Sequence, residues 1–61
     1  MKLTITITCD NAAFDPSPEL EVARILREVA EKAERLDLDS LDSLPLRDAN
    51  GNKVGECRLS E

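Results

Sequence analysis

The chain has 61 residues and a formal charge of -5, with two cysteines, no histidine, no tryptophan, no tyrosine and one phenylalanine. A domain this short buries only about 60% of the surface its unfolded chain exposes, so its core is small and a second copy or a partner is expected to complete it. The balance argues against nucleic-acid binding, which needs a basic stripe and stacking aromatics, against a disulfide framework, and against any membrane span of about 18 or more apolar residues.

In "MKLTITITCD" the residues Leu3, Ile5, Ile7 and Cys9 alternate with Lys2, Thr4, Thr6 and Thr8. That period of two predicts a strand over about residues 2 to 9, with one apolar face and one threonine face. The same alternation offers no continuous apolar stretch of the kind a secretory leader needs, so a soluble, intracellular protein is expected. Cys9 and Cys57 then read as two buried thiols in a reducing compartment.

The segment "NAAFDPSP" breaks the pattern with two prolines. Ser17, held out of the helical region by the proline after it, is placed as an N-cap, and Pro18 as the first helical residue. Phe14 is expected to plug one end of the core beneath the helix N-terminus. Its competing role is an exposed anchor for a partner.

From residue 18 to 36 the pattern turns helical: Val22, Ala23, Ile25, Leu26, Val29, Ala30, Ala33 and Leu36 fall on one arc at about 100° per residue. Charged residues fill the other side, and Glu28 with Lys32 and Glu31 with Arg35 have the favoured i to i+4 orientation. Residues 37 to 44 form an acidic connector. Leu38, Leu41 and Leu44 are expected to pin it over the core, while Asp37, Asp39 and Asp42 make the one acidic cluster without interleaved bases, a candidate docking patch for a basic surface.

The last element is a hairpin over about residues 45 to 59, turning at "LRDANGNKVG". With Asp48 opening a type I turn and Gly51 in the left-handed position, the loop has three residues and Leu46 opposes Val54. Gly55 marks a bulge, because Val54 and Cys57 share a face only if the alternation slips there. Asp48, Asn50 and Asn52 imitate the start of a calcium loop, but Lys53 and Leu59 stand where its glycine and bidentate acid belong. No phosphate-cradling glycine pattern is present either.

These elements make an α+β domain of order βαββ, one amphipathic helix on a three-stranded, mostly antiparallel sheet in the order 2-3-1. No catalytic, metal or cofactor-binding residues emerge, since histidine is absent, the thiols lack an activating base and so small a domain leaves little room for a pocket. Enzymatic activity is not expected. The residues assigned to contact with a protein are Phe14, Asp37, Asp39 and Asp42.

Together "TCDNAAF", "EVARILREVAEKAE" and "LRDANGNKVG" resemble a group of very short bacteriophage and prophage proteins, over nearly the whole chain outside the 37 to 44 connector. The resemblance implies a setting and carries over no catalytic or ligand residue. In that setting the expected function is inhibition of a host protein by binding, in the manner of anti-CRISPR and other anti-defence proteins, in the bacterial cytoplasm. Independently, the threonine face and free edge of the first strand offer self-association by strand pairing, which would relieve the small core, so a homodimer is the expected assembly. Two alternatives belong to other classes: a homo-oligomer that sequesters a small anionic signalling nucleotide on Arg47, Lys53 or Arg58, and a structural or regulatory accessory protein of the phage.

Overall fold

A computed structural model describes all 61 residues. Strand β1 spans Lys2–Ile7, helix α1 Pro18–Arg35, strand β2 Leu44–Arg47 and strand β3 Lys53–Ser60, with 3-10 turns at Ala12–Phe14 and Leu38–Leu41. The three strands form one antiparallel sheet in the order β1-β3-β2, with α1 against one face. This is the βαββ architecture that the periodicities predict.

Strand β1 stops at Ile7, two residues short of the predicted end, although the Thr8 amide still donates to the Val54 carbonyl at 2.7 Å. Cys9 therefore lies past the ladder and is exposed, which corrects the expectation of two buried thiols; Cys57 alone is buried. Burial raises the pKa of the Cys57 thiol, consistent with an inert packing residue. Because Cys57 pairs with Ile5, Cys9 sits roughly four strand residues, or about 13 Å, from it, beyond disulfide range.

Pro18 opens α1 and Ser17 is its N-cap residue, but the Ser17 hydroxyl makes no capping bond. The predicted pairs Glu28 with Lys32 and Glu31 with Arg35 do not close. Arg24 takes Glu28 instead, at 3.0 Å, because its other contacts already hold the guanidinium on that side of the helix. The acidic connector is ordered by its 3-10 turn, in which Asp37 accepts from the Ser40 amide. Leu41 is fully buried and Leu44 packs on the core, whereas Leu38 is 42% exposed and pins nothing.

The hairpin turn forms as the sequence predicts. The Gly51 amide donates to the Asp48 carbonyl at 3.0 Å, the Asp48 amide to the Asn52 carbonyl at 2.9 Å, and Gly51 occupies the left-handed region at φ 87°. Beyond it the register differs by one residue. Arg47 pairs with Lys53 but Leu46 with Gly55, so Val54 is the extra residue of a bulge and Leu46 does not oppose it. The bulge lets Val54, Gly55 and Cys57 all turn toward the helix side, and both Leu46 and Val54 end up buried.

Phe14, Ile25, Val29, Leu41, Leu46, Val54 and Cys57 make the core. All of them belong to the helix, the two 3-10 turns and the β2–β3 half of the sheet. The apolar face of β1 is covered poorly: Leu3 is 38% and Ile5 37% exposed, and only Ile7 reaches the core cluster.

Candidate functional site

The stretch from Arg47 to Asn52 combines local turn hydrogen bonds with others to residues far away in sequence. Asp48, 4% exposed, accepts from the amides of Asn50 and Asn52, each at 2.9 Å, and from the Asn11 side chain at 3.0 Å. Glu21, on the first turns of α1, accepts from the Ala49 amide at 2.8 Å and from Arg24 through both carboxylate oxygens at 2.9 Å. Arg24 also donates to the Arg47 carbonyl at 3.1 Å. The loop that resembles a ligand site is thus a buried polar clamp joining the hairpin to the helix and to the segment before it.

Chemically this clamp is saturated. No buried side-chain nitrogen or oxygen lacks a partner, and no group of three or more His, Cys, Asp or Glu is placed to hold a metal ion. Hydrogen bonding from Arg24 holds the Glu21 carboxyl below its ordinary pKa, against the opposing effect of burial. The Asn11 amide does the same for Asp48, helped by the Asn52 and Asn50 amides. Such carboxylates are poor proton acceptors near neutral pH.

Folded-state pKa values below the unfolded ones mean that these groups stabilise the fold above the ordinary carboxylate range and cease to do so as pH falls through it and below. The thermal midpoint is therefore expected to be level between about pH 5 and 8 and to fall steadily between about pH 4.5 and 2, with a separate decline at alkaline pH where the unfolded Cys57 thiol ionises before the buried one. Asp48→Asn should lower the midpoint at pH 7 by at least about 5 °C and flatten the acid limb. An acid limb as steep as that of the unsubstituted protein would remove Asp48 from this account.

The four residues assigned to partner contact do not form one surface. Phe14 is 2% exposed, inside the core, so its role as plug beneath α1 holds and its role as a surface anchor is corrected. Asp37, Asp39 and Asp42 are all exposed on the connector. Asp37 is bonded to the Ser40 amide and hydroxyl, and Asp42 accepts from the Leu59 amide at 3.0 Å, where it takes the place of a missing β2 residue. Asp39 has no side-chain partner among the hydrogen bonds and ion pairs, so it alone combines charge with structural freedom.

Of the candidate anion ligands, Lys53 and Arg58 both pair with Glu56, which neutralises part of their charge, and Arg47 donates to the Gly51 carbonyl at 3.1 Å. Lys2, Thr4, Thr6, Glu56, Arg58 and Ser60 share the sheet face turned away from α1, an open polar surface. The strands carry Lys2, Arg47, Lys53 and Arg58 against Glu56 alone, a net charge of +3, and the remaining four bases and twelve acids give the rest of the chain -8. Sequence reading missed this segregation because it becomes visible only once the strands are gathered into one layer.

No helix is long and apolar enough to cross a membrane. No protein-family model, curated protein or solved structure matches the chain.

Proposed function

We propose that the chain is a non-enzymatic protein of phage or prophage type that binds a host protein in the bacterial cytoplasm and inhibits it by occupying its surface, as anti-defence proteins do. The observation that carries this reading is the separation of charge: the strands carry +3 and the rest of the chain -8, and because α1 has five acids against four bases, most of that negative charge lies on the connector and the loops. An acidic surface of that kind, with Asp37, Asp39 and Asp42 exposed on it, suits a basic groove such as one that receives nucleic acid. Its relief comes from a rigid helix and a 3-10 turn, so complementarity of shape accompanies that of charge. The phage setting rests on the resemblance of the NAAF and DANGNKVG segments.

Native mass spectrometry of the protein purified gently from its bacterial host should show a stoichiometric host protein. With that partner in hand, Asp39→Lys is expected to weaken binding about tenfold at low salt, mainly through slower association, while leaving the thermal midpoint unchanged. Unaltered affinity in Asp39→Lys would remove the connector from the contact. Recovery of the bare chain, with no host protein under any gentle condition, would overturn the inhibitor reading.

A further inference from the structure

The two edges of the sheet are built differently. Strand β2 has only four residues and carries Pro45 at a position whose nitrogen faces away from β3, both devices that discourage further strand pairing. Strand β1 has six residues, an unbroken register with β3, no proline, and no charge between Leu3 and Ile7. It is the unprotected edge.

The backbone direction of β1 follows from one hydrogen bond. The Thr8 amide bonds Val54, so by alternation Thr6, Thr4 and Lys2 also face β3, and the amides and carbonyls of Leu3, Ile5 and Ile7 point to the open side. The residues that present free backbone groups are therefore the same ones whose side chains lie on the helix side of the sheet. Beside them α1 leaves apolar surface bare. Arg24 faces β2, and Leu26, about 200° further round the helix, is turned to the β1 side and 41% exposed, with Ala30 and Ala33 exposed on the same stripe.

We propose that the occupant of this edge is a second copy of the chain, paired antiparallel through β1 about a two-fold axis at Ile5. In that register Ile5 faces Ile5 of the partner subunit, and Leu3 faces the partner's Ile7, so all three outward residues fall in hydrogen-bonded pairs. Shifting the axis to Thr4 leaves only the pairs between Leu3 and Ile5 within the strands. On the opposite face Thr4 meets the partner's Thr6, and Lys2 meets the partner's Thr8, so no like charges oppose one another. The product is a continuous six-stranded sheet with both helices on one side, in which one operator covers the free edge, Leu3 and Ile5, and brings the two Leu26 stripes to either side of the axis. This dimer does not depend on the inhibitor reading, since it leaves the acidic connector free.

The test uses the full chain at about 100 µM, a concentration suited to an interface at the small end of the stable range. Sedimentation equilibrium or native mass spectrometry should give twice the 6.7 kDa chain mass. Ile5→Lys and Ile5→Glu, which place like charges opposite each other on the axis, should each give the single-chain mass, and an equimolar mixture should restore the doubled mass as a heterodimer. Because Ile5 is already 37% exposed, both variants are expected to retain their circular dichroism, and recovery in the mixture shows that the monomers are folded. A monomeric parent chain overturns the proposal, as do variants that stay dimeric alone; a mixture that stays monomeric overturns the register at Ile5.

Discussion

Gly55→Ala is expected to abolish the native sheet. A Cβ built at this position lies 1.8 Å from the Thr6 carbonyl oxygen and 2.8 Å from its carbon, and both atoms are backbone, so no side chain can swing aside. Ordinary overpacking costs about 1–3 kcal/mol, and a contact at half the normal separation belongs beyond that range. A 61-residue domain has in total about 3–9 kcal/mol to lose. Relief would require β1 to move away from β3 at Ile7, undoing the end of the ladder that carries the Thr8 bond. Urea titration followed by circular dichroism should therefore show no cooperative transition for Gly55→Ala at 25 °C.

Gly51 is the internal control. Its φ of 87° penalises any side chain, yet nothing lies within 4 Å of a Cβ there, so Gly51→Ala should cost about 1 kcal/mol and preserve the transition. The two glycines thus separate two reasons for having no side chain: one serves a turn conformation, the other a close approach of backbones at a bulge. Gly55→Ala with stability within about 1 kcal/mol of the parent would show that the sheet relaxes at the bulge far more readily than its geometry implies.

That contrast also explains what could be read from the residues beforehand. A turn is a local event, so Asp48, Asn50 and Gly51 announce it within four positions, and the alternation of β1 and the period of α1 are likewise local. A slip near Gly55 was legible because Val54 and Cys57 are both apolar at odd spacing, but that Val54 is the extra residue, and that Gly55 rather than Val54 faces Leu46, depends on where the ladder absorbs it. Glu21 and Asn11 gave no signal at all. Their partners, Ala49 and Asp48, are 28 and 37 residues away, and a glutamate in the first turn of a helix looks like a solvated charge until the hairpin is packed against it. Periodicity also reports the full apolar arc of α1 without saying how much of it a narrow sheet can cover. Ile25 and Val29 went inside, and Leu26, Ala30 and Ala33 stayed out.

Phe14 decides how a loss of activity should be interpreted. Its ring is the largest side chain of the core and fills the end where the first 3-10 turn meets α1. Phe14→Ala removes it at a cost of about 3–5 kcal/mol, most of what a domain of this size has, and is expected to leave the chain largely unfolded at 37 °C. Any partner lost by that variant is lost through unfolding. Phe14→Leu keeps most of the volume, should cost about 1.5 kcal/mol or less, and is expected to bind as the parent does. A surface anchor would behave in the opposite way, with Phe14→Ala retaining the thermal midpoint and both variants losing affinity by the 2 kcal/mol or more that marks a hot spot. Measuring the midpoint and the affinity of both variants therefore separates the two roles, and retention of stability within about 1 kcal/mol in Phe14→Ala would contradict the core assignment.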